Sequence, residues 1–201
     1  MKQILLILTT FLTLACNGQE TKQDKFVLTV SPIIDKTDKT NQTIIETLTE
    51  FLNIKNNSLT ENKFWAQSDF QKFIYPYIDI YNIENSRYGG DFFRPTLMEI
   101  IPTESPNQKI IKIAFIGHNN ETKENQLKSI YNLIANIHQD KVLFSRYLDF
   151  STEKWKTFSR ESMTYIVSPN KIINATEIGE QKKDIDKICN FFQCKPISIT
   201  Y

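Results

Sequence analysis

The apolar positions change rhythm along the chain, and the changes mark out its elements. "FVLTVSPII", Phe26 to Ile34, is rich in β-branched residues and closed by Pro32, which predicts a first strand. "TIIETLTEFL" places Ile44, Leu48, Phe51 and Leu52 on one helical face, with Thr43 and Glu46 as a capping box at its start. "SDFQKFIYPYIDIY" repeats the helical spacing through Phe70, Phe73, Ile74, Tyr77, Ile78 and Tyr81 behind a second box, Ser68 and Gln71. Pro76 donates no N–H and must kink or end that helix. From residue 97 the texture turns to β-branched runs, "LMEIIPTE", "KIIKIAFIG", "KVLFSRYLDF" and "WKTFSRESMTYIVSP", which predict an antiparallel meander. "QLKSIYNLIANI" fits the helix and strand templates alike, and the "HQDK" turn behind it favours a strand in a hairpin. "NATEIGEQKKDIDKICNFF" opens on Asn174 as N-cap with Glu177 three residues on, and lines Ile178, Ile185, Ile188 and Phe192 along one face of a helix. The strand-like "PISITY" then ends the sequence abruptly, as the front part of a longer protein would.

Helices, a long meander, then a last helix and strand define an α+β fold, with the N-terminal helices packed on a curved antiparallel sheet. The order of elements is similar to cystatin-like and nuclear transport factor 2-like folds, which commonly enclose a pocket. With 40% apolar and 23% charged residues the chain is globular, and residues 26–201 are enough for a single domain with its own core. The net charge of +1 supplies no basic field for nucleic acid.

The N-terminus carries the most specific signal. Lys2 is followed by an uncharged run from Ile4 to Leu14, then a small residue, Ala15, and Cys16. As a helix this run reaches only roughly 16 Å, about half of a bilayer core, so it reads as a cleaved signal peptide over residues 1–15. "LTLAC" resembles the lipobox of bacterial lipoproteins, matched here at Leu14, Ala15 and Cys16, with Thr13 where a leucine is usual. That resemblance implies acylation of Cys16, anchoring to a membrane of the cell envelope, the outer membrane foremost, and a polar tether over residues 16–25. A plain secretory signal cut after Ala15 is the alternative. The composition and the "CNGQ" start look like lipoproteins of Bacteroidota. The course "MTYIVSP", "CNFF", "ITY" resembles chains that continue into a metallopeptidase-like domain, whose zinc-ligand motif is absent from this sequence.

Lipidation of Cys16 would leave Cys189 and Cys194 as an even pair in an oxidising compartment. On one continuous helix they would point about 140° apart, so a disulfide requires the helix to end between them. Two buried thiols are the other reading. A lone C-x4-C spells no zinc site. His118 and His138 fall in successive turns and are held apart by the strand between them; neither H-E-x-x-H nor G-x-S-x-G occurs. No metal, cofactor or catalytic set is assigned.

Three features remain as candidates for ligand binding. "RYGGDFFRP" brackets the only Gly-Gly with Arg87 and Arg94, and adds Tyr88 and Asp91; it reads as an anion-clasping loop or as a connecting turn. Four arginines stand against 20 lysines, and Arg146 and Arg160 both follow Phe-Ser, which suits neighbouring strands of one sheet. They read as ligand forks or as ion-pair partners of Asp149 and Glu161. Ten of the 24 aromatics lie between residues 64 and 93, Trp65 and Tyr77 among them, and form a stacking surface or simply a helix face packed on the sheet.

The balance favours a non-enzymatic binding or scaffolding domain with a pocket of aromatics and arginines. An enzyme, as the front module of a longer hydrolase or with Asp79, Asp91 or Glu99 as a base, would bury a carboxylate of raised pKa in that pocket. A purely structural role would leave an exposed apolar patch.

Overall fold

A computed structural model describes residues 27–139, 141–160, 163–172, 174–195 and 199–200. The signal peptide, Cys16, the tether, Phe26 and Glu161 lie outside the described residues. The fold is α+β, as the pattern predicts.

The first strand is shorter than expected. Among the described residues the strand is Thr29–Val30 (β1), parallel to the start of the meander and followed by a bond from Ser31 N to the Leu97 carbonyl before the chain turns at Pro32. Helix α1 follows at Lys39–Ile54, one turn earlier than the capping box placed it. Asp38 is the N-cap, its carboxylate accepting from Asn41 N at 2.8 Å, while Thr43 lies inside the helix with its hydroxyl on the Lys39 carbonyl. The apolar face is the predicted one: Ile44, Leu48, Phe51 and Leu52 are all buried.

The second helix is cut to Gln67–Lys72 (α2), starting after Ala66 rather than on Ser68. It stops at Lys72 with Phe73 extended, four residues ahead of Pro76, whose ring can neither bond to nor clear the carbonyl of Lys72 in a continuing helix. The remainder turns through a 3-10 segment, Ile78–Ile80, so the helical spacing of Tyr77 and Tyr81 reflects no continuous helix.

Four strands then form the meander: β2 (Phe93–Pro102), β3 (Gln108–His118), β4 (Asn125–His138) and β5 (Lys141–Arg146). They pair antiparallel in sequence order with β1 at one edge, and "QLKSIYNLIANI" is a strand as expected. Bulges between Leu97 and Glu99 and at Phe115/Ile116 break the register and add local twist. One face presents Leu97, Ile111, Ile113, Phe115, Leu133, Ala135, Val142 and Phe144 to α1, and together they make the main core. Each of the Leu, Ile, Val and Phe side chains among them contributes about 1.5–3 kcal/mol by leaving water, an upper estimate because denatured chains are already partly compact.

The β5 edge does not stay open. Phe144 accepts from Ala66 N and donates to the Phe64 carbonyl, both at 2.7 Å, so residues 64–66 run beside it as a short extra strand. At Arg146 the predicted strand "KVLFSRYLDF" ends, and Tyr147–Thr152 form a short helix, α3, packed on the far face of β4. Ser151 and Thr152 turn their hydroxyls back onto the Leu148 carbonyl, a local bond that competes with strand pairing.

The last β-run belongs elsewhere. β6 (Lys156–Arg160) and β7 (Met163–Val167) form a hairpin in a second sheet, joined by β8 (Ile199–Thr200) parallel to β7. Between β7 and β8 lies α4, Ala175–Phe192, with Asn174 as the predicted N-cap and its amide also bonded to Glu177. Ile178 and Ile185 pack on Met163, Tyr165 and Val167 in a small second core.

Candidate functional site

The residues expected to bind ligand do not share one cavity. Trp65 and Tyr77 are core residues, 2% and 0% exposed, their ring centroids 5.0 Å from each other in a tilted contact and 5.3 and 5.6 Å from that of Phe51, which Tyr77 meets edge-on. Of their two alternative readings, packing is the one the structure takes. The Tyr77 hydroxyl donates to the Ser58 carbonyl and holds the loop after α1.

Arg146 and Arg160 lie in different sheets, contrary to expectation, because α3 separates β5 from β6 and redirects the chain. Arg160 is exposed on β6. The Arg146 guanidinium covers the Phe73 ring at 3.8 Å, and its backbone N–H reaches the Asp69 carboxylate at 3.0 Å. The same oxygen of Asp69 accepts from the Trp65 indole at 3.0 Å, so Asp69 clamps α2 to the end of β5. Nearby, burial pushes the Tyr131 hydroxyl up to about 12; the negative fields of Asp79 and Asp69 act in the same direction, and Arg146 acts against them. This cluster is a polar seam between α2 and the sheet.

In the glycine loop, Ser86 and Gly89 close a tight turn, with Gly89 at φ +139°, a conformation that needs glycine. The Arg87 guanidinium lies over its neighbour Tyr88 at 4.8 Å, and Tyr88 stacks on Phe92 at 4.8 Å. Asp91 is exposed, and Arg94 is exposed within β2. The loop is a connecting turn whose arginine and aromatic side chains engage each other.

The candidate bases are not buried: Asp79 and Asp91 are exposed, and Glu99 pairs with Lys112 across β2 and β3 at the surface. Among the described residues the buried carboxylates are Asp69 and Glu84. His118 bonds Asn125 at one end of β4, while His138 stands at the other end. Helix α4 does end between the cysteines, at a left-handed Gln193, but the structure forms no Cys189–Cys194 disulfide. The Cys189 thiol is buried against the Lys195 carbonyl at 3.8 Å, and Cys194 is exposed.

A cleft of about 820 Å³ lies where no candidate was placed. Its floor is the outer face of the sheet at Ile110 and Gln108. One wall is the β2–β3 turn, and the other is the end of α3 with Phe150, Glu153, Lys154 and Trp155. The turn is rigid: the Thr103 hydroxyl is bonded to Ser105 N and to the Gln108 carbonyl, and Asn107 O accepts from Ile137 N at 2.8 Å. Glu104 and Lys154 meet across the rim at 3.4 Å, both highly exposed, so this ion pair contributes little and opens readily. Trp155 keeps 41% of its surface exposed. One sequence signal did mark it: a tryptophan set in the charged stretch "STEKWKT" has no apolar neighbours to bury it.

Compared with protein-family models, curated proteins and solved structures, the chain matches none.

Proposed function

We propose that this chain is a lipid-anchored protein of the cell envelope, held through Cys16 to a membrane, the outer membrane foremost, with an α+β body that serves as a non-enzymatic binding domain. The observation that carries the anchoring is the placement of Cys16 directly behind a small residue at the end of an uncharged run. About eleven residues separate Cys16 from Val27, so even fully extended they keep the body within roughly 40 Å of the bilayer. The binding role is supported by the cleft beside Trp155, whose aromatic wall and few polar side chains are the usual make-up of a ligand site. The test is metabolic labelling with a palmitate analogue in a bacterial host. The wild-type protein takes up label and sediments with membranes, and Cys16→Ser abolishes both. A wild-type protein that is released unlabelled, cut after Ala15, would overturn the anchor.

One observation favours a second reading, an accessory front module of a longer, metallopeptidase-like envelope hydrolase. The last turn of α4 leaves Ile188, Phe191 and Phe192 exposed at 56%, 81% and 69%, an apolar face suited to a neighbouring domain. The reading frame downstream of the Tyr201 codon in the source genome tests it directly.

A further inference from the structure

We infer that the cleft beside Trp155 is a saccharide site, taking a neutral, hydroxyl-rich sugar chain with one ring stacked on the indole; this rests on the binding role proposed above. Three observations select that ligand class. First, Trp155 and Phe150 give the cleft an aromatic wall, and the Trp155 indole N–H has no partner among the described residues. A flat, half-exposed indole with an unspent donor matches the apolar face and hydroxyl edge of a pyranose ring.

Second, two further unspent side-chain groups of the lining are planar acceptors. Gln108 gives its amide nitrogen to Asn136 at 3.0 Å and keeps its oxygen free, and the exposed Glu153 carboxylate has no partner among the described residues. Acceptors of this kind take hydroxyl protons. Against its one cation, Lys154, the cleft sets two carboxylates, Glu104 and Glu153, so it has no cationic surplus to hold a phosphate or carboxylate ligand.

Third, four main-chain carbonyls in and just behind the walls are used internally. Ser105 O accepts from Gln108 N, Leu148 O accepts from two hydroxyls, Phe150 O from Glu153 N, and Thr152 O from Trp155 N. Strand addition needs unpaired main-chain groups, and these walls recognise through side chains instead.

The two tryptophans make the test direct, because Trp65 is 2% exposed and Trp155 41%. Acrylamide quenching of the mature, full-length protein in detergent therefore reports on Trp155. The probes are chitotriose, cellotriose and maltotriose at millimolar concentration, with Gly-Pro-Gly and trilysine as peptide controls. At least one trisaccharide shields the indole saturably and gives a matching calorimetric isotherm. Trp155→Ala abolishes that isotherm, Trp155→Phe retains it weakened, and Glu153→Ala, at an exposed position where folding is not at stake, weakens it about 5-fold, the worth of one hydrogen bond. Protection by a peptide and by no sugar would overturn the inference, as would no saturable protection at all or a Glu153→Ala variant that binds as wild type. Sugar binding by an unacylated protein would leave this inference standing and remove only the anchor. An acylated protein that binds none of the sugars would do the reverse.

Discussion

Removing one partner of the buried Lys55–Glu84 pair should be among the most damaging single changes to this fold, and removing both should be far milder. Lys55 follows the last turn of α1 and is 0% exposed, while Glu84 is 4% exposed in the loop leading to β2. The Lys55 ammonium donates to Glu84 Oε2 at 2.9 Å and to Asn56 Oδ1 at 2.8 Å; Asn56 Oδ1 also accepts from Asn82 N. The other Glu84 oxygen, Oε1, has no partner among the described residues. Burial lowers the Lys55 pKa and Glu84 raises it back, with burial the larger effect. The ammonium is thus held in place by one carboxylate and one amide. Glu84→Gln leaves that charge buried without its counterion, which costs about 3–5 kcal/mol, whereas Lys55→Met with Glu84→Leu comes out near neutral or stabilising. For a domain of this size the single change lowers Tm by roughly 6–20 °C. Urea and thermal unfolding followed by circular dichroism on wild type, both single variants and the double variant measure all four corners. A Glu84→Gln variant within about 1 kcal/mol of wild type, or a double variant as unstable as the sum of the singles, would refute the reasoning. The pH dependence has a definite sign. A lysine whose folded pKa is lowered binds fewer protons folded than unfolded as pH approaches 10.5, so in that window wild type gains stability relative to the double variant.

Two further outcomes follow from single positions. A Cβ on Gly117 would stand 2.1 Å from the Phe92 ring, which lies against the strand backbone there, so Gly117→Ala must displace the ring and lowers stability by about 1–3 kcal/mol; Phe92→Ala placed with it recovers part of the loss, as read by urea midpoints. Tyr131, pushed up to about 12 chiefly by burial, stays protonated in the fold above its unfolded value, so it supports the fold below about 10 and loses that contribution as pH climbs toward 12. Ultraviolet phenolate titration should show a late step that Tyr131→Phe removes, and a Tyr131 titrating with the exposed tyrosines would contradict its burial.

The elements that could be read from sequence are those whose signal is local. Asn174 capped with Glu177, and the face Ile44, Leu48, Phe51 and Leu52, each sit within a few turns of chain, and both survive in the structure. What failed depends on distant partners. "SDFQKFIYPYIDIY" has helical spacing, yet its fully buried ring, Tyr77, is there to meet Phe51 of α1 and Trp65, and that demand is indifferent to whether residues 73–81 are helical. "KVLFSRYLDF" reads as one strand because nothing local announces that Asp69, 77 residues upstream, takes the Arg146 N–H and ends the pairing.

That same break created a cleft that the aromatic and arginine counts could not find. Had the chain run on through Tyr147 as strand, β6 would have extended the first sheet and Arg146 and Arg160 would share a face, as their repeated Phe-Ser context suggested. By folding into α3 instead, residues 147–152 stand off the outer face of β4 and lift Trp155 opposite the β2–β3 turn. The cleft is therefore set by a helix of only six residues, and its walls come from segments about 50 positions apart in sequence. A density of aromatics along the chain marks where the core forms, because clustered rings bury one another. A ring that must stay half in water, as Trp155 does, is set among charged residues and away from the cluster.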